Sequence, residues 1–164
     1  MSLKYKGNNV KNVTLEQLYN LFREVGKKHK HINTTTVGDI FEVDLVETTY
    51  PLMHIGTQTA SFSRAQLTYR FQVIVMDLVS KDESNEEEVL SDMLQVIGDV
   101  LSGLLNKDFD TAYNDFRQEV RISESISCEP FTERFDNEVT GWTATVDIAV
   151  GFDASACSGD TLLI

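Results

Sequence analysis

Apolar and polar positions along this chain recur with two different periods, and the switches between them predict the order of its elements. Leu15, Leu18, Tyr19, Phe22 and Val25 follow one another at helical spacing and mark a single apolar stripe. Thr14-Leu15-Glu16-Gln17 in front of them reads as a capping box, so a helix is predicted over about residues 14–29. Gly26 weakens its end, while Lys27, Lys28 and Lys30 suit the negative end of the helix dipole. Phe41, Val43 and Leu45 then alternate with Glu42 and Asp44, the period of a half-buried strand. Tyr50 to Ile55 predicts a second, short strand with Pro51 at its start or on an edge. The small polar run from Gly56 to Ser63 predicts a loop. In the segment 67–78, Leu67, Tyr69, Phe71, Val73 and Val75 share one face. Its second half is apolar on both faces, which places this strand centrally in a sheet.

The acidic run Lys81-Asp-Glu-Ser-Asn-Glu-Glu-Glu88 ends that strand and opens a long helix, with Ser84 or Asn85 as the cap. Val89, Leu90, Met93, Leu94, Ile97, Val100, Leu101, Leu104 and Leu105 give it a broad apolar face, opposite Asp92, Gln95, Asp99 and Ser102. Phe116 to Ile126 reads as extended, and a loop or hairpin around Pro130 and Asp136-Asn137 leads to a last strand. There Trp142, Ala144, Val146, Ile148 and Val150 take one face and Thr143, Thr145 and Asp147 the other. The predicted order is α-β-β-β-α-β-β: an α+β fold with a mostly antiparallel sheet and two helices packed on one face. Residues 1–150 are expected to form one domain and residues 151–164 an extended tail.

Composition narrows the picture. The 164 residues suit one domain, and no apolar run approaches the roughly 20 residues that cross a bilayer. The first residues lack the apolar core of a signal peptide, so an intracellular chain is expected. Cys128 and Cys157 stand apart without metal-ligand spacing and read as two reduced thiols. The net charge of -12 is unevenly spread. Residues 1–31 carry seven Lys/Arg against two Glu (+5), and residues 32–164 carry seven basic groups against 24 acidic ones (-17). Such a basic end can contact nucleic acid, meet the acidic body of another copy, or be a solvated helix terminus, and the sequence leaves all three open.

Catalytic patterns are absent: there is no phosphate-binding glycine loop, no HExxH and no GxSxG. His29 and His31 lie two apart near a helix end, a spacing that puts both on one face only if the segment is extended, so metal binding is not expected there. His54, between Met53 and Ile55, reads as a packed or surface histidine rather than a general base. No carboxylate sits in an apolar setting that would fit it for acid–base work. No catalysis, cofactor or metal is expected.

The stretch Phe131-Thr-Glu-Arg-Phe-Asp-Asn-Glu-Val-Thr-Gly-Trp142, followed by an alternating strand, is similar to structural proteins of crAss-like and related Bacteroidetes phages. The order of elements from about 14 to 150 resembles the tail-terminator and head–tail connector proteins of tailed bacteriophages. Relatives of that kind often continue with a Pro/Asn-rich segment and a Cys, where this chain has Gly151-Phe-Asp-Ala-Ser-Ala-Cys157. The resemblance implies a non-catalytic virion protein, assembled in the host cytoplasm as a ring of 6 or 12 copies at the neck or tail end. It implies phage neck and tail proteins as partners, and a lumen that passes DNA without binding it specifically. In such a ring the interface candidates are Lys27, Lys28 and Lys30, the segment carrying Thr57, Gln58, Phe62 and Arg64, and a tail with Phe152, Leu162, Leu163 and Ile164. A non-viral protein-binding adaptor, or a small enzyme with its site between subunits, are the rival readings.

Overall fold

The computed structural model of the chain describes residues 13–106, 120–131 and 138–152. Helix α1 (Leu15–Lys28) starts as its capping box predicts. The Gln17 backbone N–H donates to Thr14 Oγ1 at 3.2 Å, and the Thr14 N–H donates back to Gln17 Oε1 at 2.8 Å. Helix α2 (Glu86–Leu105) follows Asn85, whose side chain does not cap it. Asn85 Oδ1 instead accepts from the Ser80 N–H and Ser80 hydroxyl, so the residue fastens the incoming loop.

Six strands among the described residues form one sheet: β1 (Thr34–Val37), β2 (Leu52–Phe62), β3 (Gln66–Leu78), β4 (Val120–Ile122), β5 (Ser127–Phe131) and β6 (Val139–Gly151). The order is β1-β2-β3-β6, with β4 and β5 both paired along the far side of β6. Only β1 runs parallel to its neighbour, against Leu52–Ile55 of β2; the other pairings are antiparallel. The centre is the β3–β6 pair, in register from Gln66↔Gly151 to Leu78↔Val139. The fold is therefore α+β with a mostly antiparallel sheet, as the periodicities indicate.

One sheet face carries Met53, Ile55, Phe71, Val73, Val75, Ala144, Val146 and Ile148, all buried, and both helices pack on it. Phe22 of α1 meets Phe71 edge-on, with ring centroids 5.2 Å apart. The Trp142 indole N–H donates to the Leu90 carbonyl at 2.8 Å, tying β6 to α2. Gly26 does more than weaken the end of α1. A Cβ there would lie 2.0 Å from Thr35 Oγ1, so the glycine lets the helix settle onto β1.

The opposite face holds a smaller core of Leu52, Ile74, Met76 and Val139, covered by Ile40, Val43, Leu45, Tyr50 and Phe131. Here the sequence reading needs correction: Phe41, Val43 and Leu45 do not form a strand. Asp39 accepts from the Phe41 N–H and caps a 3-10 turn over Ile40–Glu42, and Asp44 accepts from the Val46 and Glu47 N–H groups. These side chains satisfy the backbone locally, so no ladder is needed. Val43 and Leu45 turn inward while Phe41 stays 86% exposed.

Gly56 to Ser63 is not a loop either; β2 continues through it to Phe62. A register shift between Thr57 and Thr59 inserts Gln58 as an extra residue, which breaks the alternation a strand would otherwise show. The remaining differences are smaller. Pro130 lies inside the edge strand β5 rather than in a turn, and β6 reaches Gly151. Of the segment expected to be extended, Val120–Ile122 is strand and Ser123–Ile126 is not, while 116–119 and Asp136-Asn137 lie outside the described residues.

Candidate interaction surface

β1 covers β2 only as far as Ile55, and Gly38 follows with its N–H on the Ile55 carbonyl at 2.9 Å. Gly38 has φ +106°, a conformation that glycine adopts without strain, and there the chain leaves the sheet for the 3-10 turn. From Gly56 to Phe62 the outer edge of β2 has no strand partner among the described residues, and Thr57 to Phe62 are all exposed. Natural sheet edges are usually protected by lysine, proline or inward charge. Thr57-Gln-Thr-Ala-Ser-Phe62 has none of these, and its only irregularity is the bulge at Gln58.

The interface candidates fall into three places. Thr57 and Gln58 sit at the start of the open edge, and the Tyr19 and Thr57 hydroxyls are 2.6 Å apart, linking α1 to it. With Asp39, His54 and Gln72 they line a depression of about 380 Å³. Phe62 closes β2 at the other end, and Arg64 lies on the turn between β2 and β3. Phe62, 67% exposed, meets Phe152 edge-on with centroids 5.1 Å apart, and the Phe152 N–H donates to the Ala65 carbonyl at 3.1 Å. The structure thus brings Phe62 and Phe152, which are 90 positions apart, into one aromatic pair at the hairpin tip. Leu162, Leu163 and Ile164 lie outside the described residues.

Lys27, Lys28 and Lys30 are exposed at the end of α1, apart from the hairpin tip and on the helix-covered side of the sheet. The opposite side presents the segment from Asp39 to Glu47. Asp39, Glu42, Asp44 and Glu47 are all exposed there, with no Lys or Arg between residues 38 and 50. Phe41 and Val46, 86% and 64% exposed, stand among them. Phe41 was the missed residue. The signal was an apolar residue flanked by Asx-type turns rather than by alternation alone.

The three histidines have structural partners. His54, 1% exposed, has Nε2 2.9 Å from the Gly38 carbonyl and Nδ1 2.7 Å from Thr36 Oγ1. Those contacts fit a neutral ring that donates from Nε2 and accepts the threonine hydroxyl at Nδ1. Burial lowers its pKa, with the Gly38 bond and the Asp39 charge opposing. His29 Nε2 lies 3.2 Å from Asp99 Oδ2 and joins α1 to α2, while its Nδ1 accepts the His31 N–H at 3.2 Å. Among the described residues no three His, Cys, Asp or Glu side chains are grouped to hold a metal. Cys128 is a free, half-buried thiol whose pKa burial raises; Cys157 is outside the described residues. Among the same residues no helix is long and apolar enough to cross a membrane.

On the exposed part of the second face, Arg70 Nε and Nη2 donate to the two Asp147 carboxylate oxygens at 2.9 and 3.1 Å. This fork draws the Asp147 pKa down. The arrangement offers surfaces for association: an uncharged sheet edge, an acidic-apolar patch and a basic helix end. No protein-family model matches the chain, and no curated protein matches it in sequence.

Proposed function

We propose that this protein is a non-catalytic structural component of a phage virion that assembles through heterologous contacts into a ring at the neck or tail end. The observation that carries this reading is the placement of unlike patches on opposite sides of one sheet. The lysines ending α1 flank the helix-covered face, and the Asp39–Glu47 segment with Phe41 and Val46 covers the other. Contact between unlike patches on successive copies propagates in one direction and closes into a ring when the rotation allows. Charge complementarity steers such a contact and sets its register, and an exposed aromatic supplies an anchor for its centre. The excess of acidic groups beyond residue 31 suits a lumen that lets DNA pass without holding it. Six or twelve copies, phage neck and tail proteins as neighbours, and assembly in the host cytoplasm belong to the same proposal.

A charge swap tests it. Changing Lys27, Lys28 and Lys30 to Glu is expected to abolish assembly by light scattering at low salt. Changing Glu42 and Glu47, whose side chains hold none of the turns described above, to Lys is expected to do the same. Mixing the two variants is expected to restore association through their reversed patches. Full assembly of either variant alone overturns the reading.

A further inference from the structure

The edge of β2 that β1 leaves open raises a separate question, that of what covers it. We infer that it is a strand-addition site, and that its occupant is the segment Asp153–Ile164 of a second copy. This rests on the ring reading above and names a contact within it.

Six successive residues, Thr57 to Phe62, present an edge that has no strand partner among the described residues and carries no charge or proline. Such an edge templates pairing with an extended segment, whose main-chain hydrogen bonds supply affinity. The last described residue, Phe152, lies at the hairpin tip that ends this edge. β6 runs toward the hairpin tip, Gly151 pairs with Gln66, and Phe152 is then clipped to the turn by its N–H on Ala65 and its ring against Phe62. The twelve residues 153–164 that follow contain no Lys, Arg or Pro and include Thr161-Leu-Leu-Ile164, a run suited to a strand. Extended, they reach about 40 Å, against about 20 Å for the six-residue edge.

The ring reading selects the second copy, since a tail folded back onto its own edge joins no copies. To cover its own edge the tail must reverse immediately over the turn to which Phe152 is clipped and cross two strands, roughly 10 Å, before it can pair. A neighbour's edge is met by continuing outward. Phe62 and Phe152 on one face of the tip then form an apolar corner beside the incoming strand.

The test uses the full chain. Thr59→Cys and Leu163→Cys are introduced with Cys128→Ser and Cys157→Ser and joined by a short bis-maleimide, and mass is read by light scattering. The expected product is a ladder of covalent oligomers in a sample that scatters as a ring. Cross-linking within single chains overturns the inference, as does a ring without any cross-link; in that last case the ring reading stands and only the tail contact falls. A monomer without oligomeric cross-links removes both. A second measurement needs no substitution: a peptide of residues 153–164 is added in excess to the unmodified protein. It is expected to lower the assembled mass, and N-methylation at alternate residues is expected to weaken it by about 100-fold, as the loss of about three main-chain hydrogen bonds implies. An equal effect of both peptides, or none from either, overturns strand addition.

Discussion

Replacing Gly141 by alanine should be among the most damaging single changes in this fold. Gly141 lies in β6 opposite Met76, inside the central strand pair. A Cβ there would stand 1.8 Å from the Val75 carbonyl oxygen and 2.8 Å from Met76 Cα. Both are backbone atoms of a buried strand, so no rotamer change relieves the clash and the two strands must part. Overpacking of a well-filled site costs about 1–3 kcal/mol, and a clash with backbone belongs at the upper end or beyond. At roughly 2–4 °C per kcal/mol for a chain of this size, the melting temperature should fall by about 6–12 °C. Two other glycines calibrate the estimate. At Gly26 the nearest atoms are side-chain atoms, Thr35 Oγ1 at 2.0 Å and Met53 Cε at 2.9 Å, so Gly26→Ala should cost less, about 1–2 kcal/mol. Gly98 is exposed in the middle of α2 with nothing within 4 Å, and Gly98→Ala should stabilise by about 0.5–1 kcal/mol. The expected order of urea midpoints is Gly98→Ala, parent, Gly26→Ala, Gly141→Ala. A Gly141→Ala protein that melts with the parent would refute the close β3–β6 approach on which this reasoning stands.

Trp142→Phe retains a half-buried aromatic ring but leaves the Leu90 carbonyl without the indole donor, and should cost about 1 kcal/mol in urea denaturation. Burial lowers the His54 pKa below its ordinary 6.5 in the folded state, so the unfolded chain binds the extra proton. Its contribution is therefore full above pH 6.5 and falls away as pH drops through 6.5 toward the folded value. Urea midpoints between pH 7.5 and 5.5 should decline less in His54→Gln than in the parent. The Arg70–Asp147 fork stands in solvent, with side chains 51% and 34% exposed, so the thermal melt of Arg70→Ala should stay close to the parent's. The lowered Asp147 pKa places that small stabilisation above the ordinary carboxylate value of 3.8, and it is lost as pH falls below it.

The elements that could be read from the sequence are those whose neighbours differ sharply on their two sides. α1 shows a stripe and a capping box because one side faces the sheet and the other faces water. β6 shows clean alternation because Trp142 to Val150 lie under the helices while Thr143, Thr145 and Asp147 are on the second face. β1 was invisible because all four of its residues are half-buried, and Thr34-Thr-Thr-Val37 offers β-branching but no alternation. The outer half of β2 was hidden by its exposure and by the extra residue at Gln58, which shifts every later side chain to the other face. The false strand at Phe41–Leu45 had the right period for the wrong reason, since turns anchored by Asp39 and Asp44 send Val43 and Leu45 inward and Phe41 outward. The Lys patch was legible as composition. Its acidic-apolar counterpart and the Phe62–Phe152 pair were not, because both depend on chain crossings that bring distant positions together.

The central claim concerns assembly through charged, heterologous contacts, and the mass of the unmodified protein in solution tests it most directly. Light scattering across a salt series should find a species of six or twelve copies of the 18.5 kDa chain at low salt that dissociates as ionic strength rises. A monomer at every salt and protein concentration would contradict the account.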